Sequence, residues 1–216
     1  MLKIEIWTDI LCPWCYIGKH QFERALAQFS YKNEVDVLYH SFELDPNAAV
    51  EPGMNSYELL AKKYGVTPEK ATEMHRNVSE RAANVGLEYH MDITKPTNSF
   101  DAHRLIHLAA AHGLQHKMIE KLSAAYLTEG KHIGRHDTLL ALATEIGLDN
   151  QEVSQMLAGD AYADAVRRDE QEAAQLGIRG VPFFVFERKY GASGAQGEEV
   201  FRQMLEKTWA EFEAVV

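Results

Sequence analysis

The chemistry of this sequence is concentrated in its only two cysteines, Cys12 and Cys15, which stand in the run C-P-W-C near the N-terminus. Thiols three residues apart on the first turn of a helix occupy neighbouring surface positions, so they can bond or separate without unfolding a domain. A bridge that closes so short a loop restrains the unfolded chain very little, which argues against a purely structural disulfide. The free amides of a helix start and its dipole favour a thiolate at Cys12, the form that attacks a disulfide and leaves well in reverse. Cys15, one turn deeper, is then the resolving thiol. Pro13 falls at the first helical position, where a missing amide costs nothing. Trp14 offers apolar area and an indole donor, either as a contact surface or simply as cover for the helix start.

Zinc is the competing use of a CxxC, but a closed site needs four ligands and no second CxxC is present. His103 and His107 lie one helical turn apart and can supply two ligands. No H-E-x-x-H pattern accompanies them, so we assign no metal site and read them as solvated or locally bonded histidines. The second informative run is G-V-P-F-F-V-F at Gly180 to Phe186. Proline is tolerated at a strand start, where no ladder donor is lost. Together with a strand–CxxC–helix unit, Pro182 predicts a cis Val181–Pro182 bond beside the cysteines, leaving the Val181 backbone to align an extended peptide.

These residues need elements to hold them. Leu2, Ile4 and Ile6 alternate with Lys3, Glu5 and Trp7 as in a strand that delivers Cys12 at its end. Ile17, Phe22, Leu26 and Phe29 mark the helix after Pro13, and Val35 to Phe42 reads as a second strand, parallel to the first through that helix. From about Asn55 to Leu176 the pattern is helical, with a capping box expected at Asp149 and Glu152 and a stop at Gly147. Strands return at Pro182 to Phe186 and, after a tight turn around Glu187 and Arg188, at Arg188 to Ala192 as an edge strand, and an amphipathic helix fits Glu198 to Phe212. The expected architecture is α/β: a sheet domain in two parts, 1–45 and 177–216, interrupted by an all-helical insertion, 46–176.

Composition bounds the rest. With 216 residues, 46% hydrophobic and 25% charged, the chain has material for a sizeable core. A formal charge of -10 argues against a nucleic-acid surface. The first residues lack the apolar segment and cleavage site of a secretory signal, and no stretch approaches the ~18 consecutive apolar residues of a membrane span. The expectation is a cytoplasmic protein with no membrane partner; its oligomeric state is not legible.

The chain resembles the DsbA family of thioredoxin-fold oxidoreductases, and more closely its cytoplasmic FrnE-like branch. The likeness rests on C-P-W-C at Cys12 to Cys15, P-T-N-S-F-D-A-H-R at Pro96 to Arg104, G-V-P-F-F-V-F at Gly180 to Phe186 and S-G-A-Q at Ser193 to Gln196. It implies a thioredoxin-like fold with a helical insertion, attack by Cys12, resolution by Cys15, and substrate beside Val181 and Pro182. No organic cofactor is implied beyond the redox-active Cys12–Cys15 disulfide; thiol- or disulfide-containing proteins or small molecules are the implied partners. Trp14 departs from the periplasmic pattern, which has histidine there, so a strongly oxidising potential does not carry over. The chain is also similar to kappa-class glutathione transferases and 2-hydroxychromene-2-carboxylate isomerases. That likeness makes glutathione a candidate co-substrate and Asn98 a candidate contact for it, beside the structural reading of Asn98 as a cap for the helix at Phe100 to Ala111. A glutathione-dependent isomerase or transferase is therefore the alternative enzyme. A peptide-binding or chaperone-like module, with Trp14, Met54, Phe183 and Phe184 as apolar contacts, is the non-enzymatic alternative.

Overall fold

The computed structural model describes residues 1–214, so the last two positions of the expected 177–216 segment lie outside the described residues. Strand β1 (Leu2–Thr8) is one of two inner members of a four-stranded sheet: in spatial order β2 (Val35–Ser41), β1, β3 (Phe183–Phe186) and the edge strand β4 (Tyr190–Ser193). Leu2, Ile4, Ile6 and Trp7 are all buried, because helices cover a strand that also has a neighbour on each edge. It runs parallel to β2 (Val35–Ser41), from Leu2 opposite Val35 to Thr8 opposite Ser41, and antiparallel to β3 (Phe183–Phe186), with Trp7 opposite Phe183. A parallel neighbour requires a crossover, and helix α1 (Pro13–Gln28) supplies it.

The edge strand β4 covers Tyr190–Ser193 rather than starting at Arg188. Glu187 and Arg188 both take left-handed backbone angles (φ 49° and 53°), and a chain turning there cannot yet be paired. Arg188 is thereby released from the ladder, and its guanidinium bonds the buried carboxylate of Glu5 on β1.

Between β2 and β3 the described chain is helical: α2 (Ser56–Tyr64), α3 (Pro68–Ala83), α4 (Phe100–Ala111), α5 (Gln115–Leu127), α6 (His136–Glu145), α7 (Asn150–Ala158) and α8 (Ala163–Gln175). The box expected at α7 is one-sided: Asp149 accepts the Glu152 amide at 2.9 Å, without a return bond from Glu152. The complete box belongs to Asn55 and Glu58, at the start of α2.

Helix α9 (Glu198–Glu213) lies against α1, where Phe22 meets Phe184, Phe186 and Phe201 at ring separations of 5.6, 6.3 and 5.8 Å. Phe184 is fully buried in this group, so it is core and not part of a contact surface. Its neighbours occupy the inward side of β3, and truncating such an aromatic costs about 3–5 kcal/mol. One apolar cluster continues from these rings to Leu105, Leu122 and Leu142 of the insertion, so sheet and insertion share a core.

Candidate active site

The end of β1 turns sharply into α1, and the turn carries the cysteines. Cys12 is the N-cap, with extended backbone angles, and Pro13 opens the helix. The Cys12 amide donates to the Asp9 carbonyl at 3.1 Å, and the Cys15 amide donates to the Cys12 carbonyl at 3.0 Å. Both thiols are unbonded. From the other end of the chain, the Val181–Pro182 peptide is cis, and the Val181 carbonyl accepts from the Cys12 thiol at 3.6 Å. The Val181 side chain packs beside Trp7, Ile178 and Val185.

The structure therefore brings together Cys12, Pro13, Cys15, Val181 and Pro182, and leaves Trp14 exposed beside them at 42%. Although the first turn of a helix puts such thiols on surface positions, Cys12 is not exposed here. Only 4% of Cys12 is accessible, as is 4% of Cys15, with the Val181 edge lying against the Cys12 sulfur. Burial, and then the adjoining Cys12 sulfur, push the Cys15 thiol well above the usual thiol range, against the opposing Asp9 amide and Thr8 hydroxyl. A thiol held protonated is a poor nucleophile.

Three supporting residues were missed. Tyr89, between α3 and α4, donates its hydroxyl to the Pro13 carbonyl at 2.7 Å. Gly18 lets α1 approach the proline: a Cβ there would stand 3.0 Å from Pro182 Cγ and 3.4 Å from Phe184 Cζ. Its position one turn beyond Cys15 was the available signal, since glycine inside a helix lowers stability unless something packs closely against it. Asp9, which reads in the sequence as a polar interruption of an apolar segment, is buried beneath the turn.

Asn98 accepts the Phe100 amide at 2.8 Å through its side-chain oxygen, so it does serve the start of α4, although Ser99 occupies the N-cap position. Met54 and Phe183 are half-buried. His103 and His107 turn to different partners. His103 Nε2 stands 3.5 Å from Asp9 Oδ1, while His107 Nε2 stands 3.1 Å from Asp169 Oδ2 and 3.2 Å from Ser41 Oγ. His20, Glu23 and Glu120 do converge between α1 and α5, but the buried Lys19 ammonium bonds both carboxylates and already supplies the cation. Among the described residues, no helix is long and apolar enough to cross a membrane.

Comparison with known proteins places this geometry. The family model of the DSBA-like thioredoxin domain matches residues 3–206. The probable DsbA oxidoreductase SCO1869 from Streptomyces coelicolor is 43% identical, with a TM-score of 0.94 over 98% of this chain and 91% of that one. Two more distant structures share the fold. The cytosolic disulfide reductase DsbM from Pseudomonas aeruginosa, also solved with glutathione, is 20% identical with a TM-score of 0.69 over 97% of this chain and 99% of its own. A 2-hydroxychromene-2-carboxylate isomerase is 16% identical with a TM-score of 0.74 over 99% of each chain.

Proposed function

The chain belongs to the family of DSBA-like thioredoxin domains, and from that premise we propose that it is a thiol–disulfide oxidoreductase working through Cys12 and Cys15. The observation that carries this reading is the Cys12 sulfur, set at a helix start between the Cys15 turn and the Val181 carbonyl. In the forward cycle the Cys12 thiolate attacks one sulfur of a substrate disulfide, forming a mixed disulfide and releasing the first substrate thiolate. Cys15 then loses its proton and attacks the Cys12 sulfur, releasing the second thiolate. The substrate has gained two electrons, and the protein holds a Cys12–Cys15 disulfide. Two equivalents of a thiol such as glutathione reset it, and every step runs in reverse when the potentials favour oxidation of the client.

In this reading Val181 and Pro182 align the substrate backbone, and Pro13 and Trp14 form the adjoining surface. The working unit is the sheet domain of 1–45 and 177–216 with its insertion of 46–176, acting in the cytoplasm as a FrnE-like member of the family. No organic cofactor takes part. Glutathione as a co-substrate is supported by the similar DsbM having been solved with it, and Asn98 is its candidate contact.

Titration of the two thiols in glutathione buffers of graded ratio tests the reading. A single reversible two-electron transition between dithiol and disulfide is expected, together with turnover of a disulfide substrate. No reversible Cys12–Cys15 disulfide across that range rejects it. Glutathione-dependent isomerisation that persists in C15S would move the assignment to the other chemistry carried by this fold.

A further inference from the structure

Arg179 stands two residues before Val181, and its place follows from the way α8 ends. The helix closes after Gln175, with Gly177 in the left-handed region (φ 74°). The Gly177 amide donates to the Ala174 carbonyl at 3.1 Å and the Ile178 amide to the Ala173 carbonyl at 2.8 Å, the paired bonds of a Schellman motif. Ile178 is buried with Ala173, Trp7 and Val185 in a small apolar cluster apart from the main core, and Val181 packs on the same cluster. The segment between α8 and Pro182 is thus held at Ile178 and again at Val181. Between these anchors Arg179 is exposed, and a Cβ placed on Gly180 would meet nothing within 4 Å, so this edge is open to a second chain.

The arginines around the segment differ in what holds them. Arg167, on α8, bonds Glu43 and Glu170, and Arg188, beyond β3, bonds Glu5 and Glu172; Arg179 has neither an ion pair nor a hydrogen bond among the described residues. In a chain with 22 basic and 32 acidic side chains, its guanidinium keeps a full fork of donors without a carboxylate to take them. Two residues of extended chain span at most about 7 Å, and the Val181 carbonyl is 3.6 Å from the Cys12 sulfur. A side chain as long as that of Arg179 therefore reaches the ground beside an attacked disulfide.

Resting on the oxidoreductase reading, we propose that Arg179 is a specificity-determining residue, selecting substrates that carry a carboxylate within two residues of the attacked half-cystine. A substrate laid along the Val181 backbone passes the open edge at Gly180 towards Arg179. There the guanidinium takes a carboxylate, from an Asp or Glu of a peptide or from glutathione disulfide, through paired N–H donors. Arg179 has no part in the exchange of electrons; it favours the encounter with an acidic partner. That preference runs against the net charge of -10, which repels such a partner at long range.

The test uses short peptide disulfides that differ only in the residue beside the cystine, Asp in one and Lys in the other, with glutathione disulfide as a third substrate. Reduced parent, R179Q and R179E are each mixed with excess disulfide, and the second-order rate constant is read from thiol loss by quenched alkylation. The ratio of the Asp to the Lys rate constant is compared, so that changes common to both peptides cancel. R179E should lower this ratio on the order of tenfold at low salt and R179Q about threefold, and about 0.5 M salt should remove most of either effect. R168E makes the same change of charge at an exposed position midway along α8 and should leave the ratio within about twofold.

A fall of about threefold or more in R179E that R168E does not share supports the assignment. A smaller fall, a rise, or an equal fall in R168E overturns it, the last because net charge alone would then explain the preference. Thermal melts confirm folding, and should R179E not fold, a fall of less than about twofold in R179Q overturns the proposal. A loss of rate on glutathione disulfide in R179E would add glutathione to the substrates that the arginine selects, while the peptide ratio decides the proposal itself. Failure of the parent to exchange with any of the three disulfides instead rejects the oxidoreductase reading, and is seen before any variant is compared.

Discussion

The Cys12 sulfur and the Val181 carbonyl oxygen lie 3.6 Å apart although 169 residues separate them in the chain. Antiparallel pairing of β1 with β3 produces this contact: each strand ends in a motif, one running into C-P-W-C and the other beginning after Pro182, and the register places Trp7 opposite Phe183. A substrate laid along the Val181 backbone would bring its disulfide to the attacking sulfur.

From this division of work, C15S should accumulate mixed disulfides through Cys12, because attack survives and escape does not. C12S should trap none. Turnover of a disulfide substrate is expected to fall on the order of a hundredfold or more in either variant. Mass spectrometry of the trapped species identifies the sulfur, and trapping through any residue other than Cys12 refutes the assignment.

Gly18 predicts a separation of activity from stability. In G18A the new methyl meets Pro182 Cγ at 3.0 Å, so Pro182 must shift by a few tenths of an ångström away from α1. Helix propensity returns about 1 kcal/mol, while overpacking costs about 1–3 kcal/mol, so stability should change by less than about 2 kcal/mol. Substrate turnover should fall severalfold, with the glutathione equilibrium of the two thiols little moved. Unaltered turnover in the folded variant would show that the approach of Pro182 to α1 does not matter.

Tyr89 offers a measure of how firmly the insertion holds the active turn. Y89F keeps the ring and deletes the hydroxyl that donates to the Pro13 carbonyl at 2.7 Å. The expected loss of stability is about 1 kcal/mol, together with faster alkylation of Cys12 as the turn loosens. Denaturant unfolding and a timed iodoacetamide reaction check both, and an unchanged alkylation rate argues that the turn is rigid by itself.

Much of this was legible because local chemistry and long-range placement agreed. C-P-W-C after an alternating strand, and proline before F-F-V-F, each announce an element and its end, so the sheet and the two halves of the site follow from spacing. What stayed hidden depends on contacts between distant segments. No local pattern shows that Asp9 will be buried against His103, that Tyr89 will reach Pro13, or that Phe184 will face Phe22 rather than solvent. The tight turn around Glu187 and Arg188 was legible, but the start of β4 was not: both turn residues take left-handed backbone, so pairing with β3 begins only at Tyr190 opposite Phe186.

The last prediction concerns acid stability, through Asp169 on α8. Its carboxylate holds His40 Nδ1 at 2.9 Å, His107 Nε2 at 3.1 Å and the Ser41 amide at 2.7 Å, tying α8 to the end of β2 and to α4. Burial alone would raise this carboxyl, but His107, His40 and the Ser41 amide hold it far below the usual range. A carboxyl lowered by folding contributes stability that is fully present above its unfolded value, about 4, and is lost as pH falls towards its folded value. The parent should therefore lose stability steadily as pH falls below about 4. D169N should be destabilised by about 2–4 kcal/mol at pH 7, where it lacks a partly buried partner for two histidines, and the gap between variant and parent should narrow on acidification. Urea unfolding at pH 7, 5 and 3 measures that gap. Parallel losses in both proteins between pH 5 and 3 would show that Asp169 does not govern the acid limb, and would return that role to the other lowered carboxyls, Asp9 and Glu120 among them.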